Sequence, residues 1–173
     1  MEEKAVHEKG SYLRDVVFAA SDGLITTFAV VAGAQGAAFA PIVTVIMGFA
    51  NLLADGISMS SGTYLGVKSE VDFEKSQGDR HSFEASPFKQ AIVTFFAFDI
   101  VGFIPIFPYV VKMQNSFSVS VILMVITLFL IGSLRGRFTK KSWFRSGCEM
   151  LLIGGLAATV AYLTGDLIEK FTT

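Results

Sequence analysis

Two carboxylates lie inside apolar stretches of this sequence that are long enough to cross a lipid bilayer. Asp22 is the only charged residue in residues 16–40, and Asp55 is the only charged residue in residues 41–67. A charge within the hydrocarbon costs at least ~2.5–3.5 kcal/mol on insertion scales, so an intramembrane acid indicates an ion or proton site by default. No Lys or Arg lies at a comparable depth to neutralise Asp22. We therefore predict a functional role for Asp22.

The second stretch contains further metal-binding side chains at helical spacing. Asn51, Asp55 and Met59 recur every four residues, and Gly62 continues the same helix face. A set of carboxylate oxygen and thioether sulfur suits a borderline ion such as Fe²⁺, with Mn²⁺ also possible, better than Mg²⁺ or Ca²⁺. The alternative interpretations are that Asp55 hydrogen-bonds a neighbouring helix and that Met59 is a packing residue.

Asp15 extends the predicted metal path toward the start of the first helix. It precedes Asp22 by seven residues, which is two turns along one helix face. A cation that leaves Asp15 would then meet Asp22 deeper in the membrane. A carboxylate that is ionised to hold metal and protonated once metal leaves is the simplest device for exchanging metal against protons. The alternative for Asp15 is an interfacial acid paired with Arg14.

The elements that must position these residues are predicted to be membrane-spanning helices. Hydrophobic residues make up 52% of the 173 residues, and 17 of them are Phe. A spanning helix needs about 20 apolar residues, and no stretch alternates as a barrel strand would. We predict an all-α polytopic protein, one domain of residues 1–173, with five transmembrane helices over about 16–38, 41–66, 88–111, 117–134 and 146–168. Pro105 and Pro108 should break or kink the third helix near its outer end.

The distribution of positive charge predicts the orientation. Of the fourteen Lys and Arg residues, eleven fall before the first helix or in the predicted cytosolic loops, at about 67–87 and 135–145, and a twelfth, Lys89, lies at the adjoining start of the third helix. Because basic residues are retained on the cytosolic side, the N-terminus should be cytosolic and the C-terminus outside. The N-terminal residues are polar and acidic, unlike a cleaved signal peptide.

Composition also argues against several classes of protein. Only two histidines are present, too few for a membrane oxygenase or a bis-histidine haem protein. The lone Cys148 excludes an internal disulfide and is interpreted as a packing residue. We expect no enzymatic activity, no permanently bound cofactor and no nucleic-acid binding.

Other acids are weaker candidates. Glu70 and Glu74 are four residues apart and could capture metal at the cytosolic side, although a solvated loop is the alternative. Asp99 lies mid-way along the third helix and is either a proton or ion site or a protonated, hydrogen-bonded aspartate. Glu149 is expected to pair with Arg145, four residues earlier.

Several blocks of this sequence resemble the vacuolar iron transporter family. They are Leu13 to Leu24 (LRDVVFAASDGL), Thr27 to Gly33 (TFAVVAG), Gly48 to Met59 (GFANLLADGISM), Ile104 to Tyr109 (IPIFPY) and Arg145 to Leu156 (RSGCEMLLIGGL). The resemblance implies a five-helix homodimer that moves Fe²⁺, often also Mn²⁺, out of the cytosol in exchange for protons. It also implies that Asp22 and Met59 meet their symmetry mates and form the translocation site.

The chain departs from this family in two places. Many relatives have an acid after the glycine of the second helix, where this chain has Thr63. Better-known members also insert a glutamate-rich cytosolic domain between the second and third helices, and here that connection is short. The acids of the connection are too few to form that domain: they are Glu70, Asp72, Glu74, Asp79 and Glu84, with His81 among them.

These observations lead to one main hypothesis and two alternatives. We expect a proton-coupled exporter of divalent transition metal, Fe²⁺ or Mn²⁺ or both, embedded in the lipid bilayer as a homodimer through the first helix, which has small residues at close spacing. The membrane is expected to be a prokaryotic plasma membrane. The alternatives are an acid-lined channel or carrier of another cation, and a membrane component that does not transport.

Overall fold

The computed structural model describes residues 2–78 and 86–172, and within them the chain forms helices joined by short turns, without strands. The elements are α1 (Glu2–Gly36), α2 (Pro41–Ser76), α3 (Pro87–Gly102), α4 (Phe107–Val110), α5 (Ser116–Phe138) and α6 (Trp143–Thr172). The all-α prediction is therefore confirmed for the described part of the chain.

Four helices in the described part are long and apolar enough to cross a membrane. These segments are Gly10–Gly36, Pro41–Ser76, Ser116–Phe138 and Trp143–Phe171. The third predicted span, residues 88–111, is not one continuous helix: α3 has 16 residues, about 24 Å at 1.5 Å per residue, and the short α4 follows after a turn.

Two prolines account for this interruption. Pro105 and Pro108 have no backbone N–H to donate and therefore end the helical ladder shortly after α3. The carbonyls that the break exposes find new donors, because Ser120 Oγ donates to the Pro105 oxygen at 2.6 Å and the Met113 N–H donates to the Pro108 oxygen at 2.9 Å. The expected break is present, and its cost is offset by α5 and by the turn before it.

The predicted loops are shorter in the structure. α2 continues to Ser76, well into the predicted loop of residues 67–87, because Val67 and Val71 are one turn apart and both buried. The helix ends where the Gln77 N–H bonds the carbonyls of Phe73 and Glu74. Likewise α5 runs to Phe138, which leaves residues 139–142 as the connection to α6.

Glycines set the packing of α1, which is the central helix. A methyl group on Gly23 would lie 2.5 Å from the carbonyl oxygen of Phe98, so α1 and α3 touch backbone to backbone. One on Gly33 would lie 3.5 Å from the Ala161 oxygen of α6. The small residues of α1 thus permit close packing, as predicted, but the helices they contact belong to the same chain.

Two apolar clusters form the interior. One joins Leu24 and Phe28 of α1 to Leu128 of α5 and Met150 of α6. The other joins α1, α2 and α3 through buried side chains, namely Ala19, Leu52 and Phe98, together with Ile106. The second cluster directly borders the candidate site.

Candidate metal site

An open cavity of about 680 Å³ lies between α1 and α2. α1 contributes Arg14, Asp15 and Phe18, and α2 contributes the remaining lining residues, which are Met59, Gly62, Thr63, Gly66, Val67 and Glu70. The cavity is wide on the α2 side because a methyl group on Gly62 or Gly66 would meet nothing within 4 Å. A carboxylate and a thioether therefore face one space, which suits a divalent transition metal.

Asp15 is the most buried acid of the cavity wall, with 8% of its surface exposed. Its Oδ1 accepts a 3.0 Å hydrogen bond from Arg14 Nε. Its Oδ2 is buried and has no hydrogen-bond partner within the described residues. A buried ionised carboxylate is costly unless it is paired, and Arg14 pairs with only one of the two Asp15 oxygens.

Met59 takes part in both the interior and the cavity. Its side chain packs against the cluster of Ala19, Leu52 and Phe98, and it also lines the cavity. The structure therefore shows the packing role, and the ligand role stays a prediction for a side chain that also borders the open space.

Asp22 and Asp55 lie deeper along the same two helices. Both are partly buried, and they are close enough for their negative charges to repel each other. Within residues 10–78 and 86–171, neither carboxylate forms an ion pair with Lys or Arg. Two uncompensated acids on facing helices form an arrangement that a cation or a proton stabilises.

Asp99 occupies a separate position, at the contact of α3 with α2. Its carboxylate lies against Gly56, where any larger residue would collide with Asp99 Oδ2. Both oxygens are buried and, within the described residues, lack a hydrogen-bond partner. Asn51 Nδ2 is also buried and, within the described residues, has no hydrogen-bond partner. Asp99 does not line the cavity.

A sequence profile of the VIT family matches residues 13–85 and 76–166. The chain belongs to the VIT family. A vacuolar iron transporter from Toxoplasma gondii is 25% identical over 96% of this chain and 78% of its own length. Vacuolar iron transporter 1 of Arabidopsis thaliana is 25% identical over 92% and 87%, and vacuolar iron transporter homolog 2 of the same plant is 28% identical over 95% and 88%.

The alignments separate long and short relatives of this VIT-family chain. The alignment with the Toxoplasma transporter runs over 234 positions, more than the 173 residues of this chain, so that relative has inserted residues. The alignment with Arabidopsis homolog 2 runs over only 172 positions. This chain is therefore closer in length to Arabidopsis homolog 2 than to the Toxoplasma transporter.

The structure does not bring all predicted ligands together. Glu70 lines the cavity, but Glu74, one turn further along α2, does not. Within the described residues no three His, Cys, Asp or Glu side chains are grouped as a metal would require. Asp79, His81 and Glu84 lie outside the described residues.

Sequence reasoning missed several residues of the cavity wall. Thr63, Gly66 and Phe18 were not predicted as lining residues, although they line the space. A usable signal was present on α2, because the lining residues recur every three or four positions from Met59 to Glu70 and so share one helix face. The spacing rule that linked Asn51 to Met59 needed only to be continued toward the end of the helix.

Proposed function

We propose that this VIT-family chain exports divalent transition metal, Fe²⁺ or Mn²⁺ or both, from the cytosol in exchange for protons. The observation that carries the proposal is the succession of acids along α1 and α2, from Asp15 in an open cavity to Asp22 and Asp55 at membrane depth. The relatives named as iron transporters support the choice of substrate.

The proposed path begins at the cavity. A cation would first meet the Asp15 carboxylate, which lines the cavity together with Glu70 and Met59. It would then pass to Asp22 and Asp55, whose mutual repulsion a divalent cation relieves. The mixed oxygen and sulfur donors favour Fe²⁺ over harder ions.

Proton exchange follows from the same repulsion. Once the metal has left, Asp22 and Asp55 again repel each other, and binding of a proton by either one removes that repulsion. Metal and proton therefore compete for the same oxygens. Asp99 is proposed as a further proton or ion position, because its oxygens are buried without partners among the described residues.

A homodimer would complete the site. α2 has a row of exposed small residues at four-residue spacing, and such rows allow a second helix to approach closely. The row consists of Ala50, Ala54, Ser58, Gly62 and Gly66. An isologous contact that includes α1 and this face of α2 would bring the two cavities together and double the number of donors.

The proposed topology has five crossings with a cytosolic N-terminus. The third crossing would consist of α3, α4 and the turn between them, because neither helix is long enough alone. The orientation is supported by basic residues such as Arg137 and Lys140 in the predicted cytosolic connection, in accord with the positive-inside rule. We also propose a prokaryotic plasma membrane as the location, where export to the exterior takes the place of vacuolar loading.

Metal flux under a controlled proton gradient tests the proposal. The purified chain is reconstituted in liposomes that contain a metal-sensitive dye, and uptake of Mn²⁺ or Fe²⁺ is followed with the interior at acidic or neutral pH and the membrane potential clamped. An exporter with its cytosolic face outward takes up metal faster into an acidic interior. Equal, substantial rates indicate an acid-lined channel, and rates no higher than in protein-free liposomes indicate a component that does not transport.

A further inference from the structure

The mouth of the cavity holds a positive charge next to the proposed metal ligand. Arg14 Nε donates to Asp15 Oδ1 at 3.0 Å, and a second guanidinium nitrogen, Nη2, lies 3.0 Å from the same oxygen. Nη2 also donates to Ser11 Oγ at 3.5 Å. The Arg14 side chain is 67% exposed, whereas that of Asp15 is 10% exposed.

We propose that Arg14 is a displaceable counter-cation that competes with the incoming metal for Asp15 and thereby sets the affinity of the cavity. The inference rests on the proposed metal transport and concerns a residue to which that path assigns no role. Arg14 would neutralise Asp15 while the cavity contains no metal, and it would turn toward water when a divalent cation arrives.

The unequal burial of the two side chains supports displacement. Asp15 needs a compensating charge because its carboxylate is buried. Arg14 has less need of one, because 67% of its side chain is exposed. Ion pairs with such an exposed member change an equilibrium by only about one- to fivefold, so a divalent ion held by several donors can replace the guanidinium.

The contested atom is one oxygen of the Asp15 carboxylate. Nε and Nη2 of Arg14 both contact Oδ1, while Oδ2 is buried and without a partner within the described residues. Glu70 and Met59 line the same cavity. A cation that enters the cavity would therefore compete with Arg14 for Oδ1, which makes the competition a property of this one carboxylate.

The variant Arg14→Gln tests the competition. It keeps a hydrogen-bond donor and most of the length but removes the charge, so the KM for Mn²⁺ in the flux assay should fall about two- to fivefold, with no rise in kcat. Arg14→Lys, which restores the charge, should return KM to near the wild-type value. A KM that is unchanged or higher in Arg14→Gln overturns the inference and makes Arg14 a residue that only orients Asp15.

Two controls separate the ion pair from a general effect of surface charge. Arg137→Gln removes an exposed charge from the end of α5, outside the cavity, and should leave KM unchanged. In an Asp15→Asn background, Arg14→Gln should no longer lower KM, because the competition requires the carboxylate. A decrease in KM that persists in that background contradicts direct competition.

Direct binding separates this inference from the proposed function. Mn²⁺ binding to the detergent-solubilised chain is measured by calorimetry for wild type and Arg14→Gln, and the variant should bind two- to fivefold more tightly. If wild type transports Mn²⁺ but both proteins bind it equally, only the role of Arg14 is overturned. If wild type neither binds nor transports Mn²⁺ or Fe²⁺, the proposed function fails and the inference fails with it.

Discussion

The α1–α2 pair and the α5–α6 pair are both apolar enough to span a bilayer, but their charged residues lie at different depths. In α5 and α6 the charges lie near the ends, where Arg135 pairs with Glu149 at 2.7 Å and Lys170 pairs with Asp166 at 2.7 Å. In α1 and α2 the acids Asp22 and Asp55 lie inside the apolar stretch. Hydropathy alone therefore does not distinguish a helix pair that serves as scaffold from one that forms a path.

The two helix pairs also differ in how closely their helices pack against each other. α5 and α6 interlock closely, since a methyl group on Gly132 would lie 2.6 Å from the Ser146 oxygen, and one on Gly136 would lie 2.8 Å from Ser146 Cβ. α1 and α2 instead leave a cavity beside Gly62 and Gly66. A tight interface excludes ions, whereas the open one admits them, which is why we place transport on the α1–α2 side.

The largest expected effect comes from removing the deep acid of the open pair. Asp22→Asn should lower metal flux by on the order of tenfold or more, because the neutral amide cannot balance a divalent charge. Insertion should not suffer, since a charge is removed from the hydrocarbon. Asp166→Asn, an acid at the end of α6, is the matched control and should keep its rate within about twofold. Wild-type flux in Asp22→Asn would contradict the assignment of the path to α1 and α2.

The next effect concerns assembly. Gly62→Leu places a large side chain on the open face of α2 and should weaken the proposed homodimer by roughly tenfold or more, because small residues are what allow close helix contact. Gly155→Leu is the matched control on α6, where a methyl group likewise meets nothing within 4 Å. Light scattering in detergent measures the oligomeric state. If both variants contain equal amounts of dimer, the open face of α2 takes no part in dimerisation.

A smaller effect is expected on selectivity. Met59→Leu retains volume and apolarity, so stability should change by less than ~1.5 kcal/mol, while Fe²⁺ flux should fall about two- to fivefold through loss of the soft sulfur ligand. Met124→Leu, at a buried methionine of α5, should leave flux unchanged. If both variants transport Fe²⁺ like wild type, Met59 has only its packing role and the sulfur argument fails.

The sequence indicates where the acids lie along their helices, but not what surrounds them. Asp22 and Asp55 stand out because each interrupts a long apolar run, and that signal is local. The cavity beside Asp15 lies between two helices, and the spacing along α2 gives the residues of one face but not the space beside that face. The same limit affected Glu149: the expected partner was Arg145 at four-residue spacing, but the structure pairs it with Arg135 of α5. A basic residue that precedes an acid by four positions is the weaker helical order, and a neighbouring helix supplied a closer partner.

That corrected ion pair gives the smallest prediction. Arg135 and Glu149 are exposed by 34% and 56%, so water and salt screen their attraction, and Glu149→Gln should lower the free energy of unfolding by less than ~1 kcal/mol. Arg145→Gln should have no effect on the stability that Glu149 provides, whereas Arg135→Gln and Glu149→Gln should be non-additive in a double-mutant cycle. Thermal unfolding in detergent at low and high salt measures both. A non-additive energy between Glu149 and Arg145 instead would restore the pairing within α6, and a loss well above ~1 kcal/mol would contradict the weak contribution expected of an exposed ion pair.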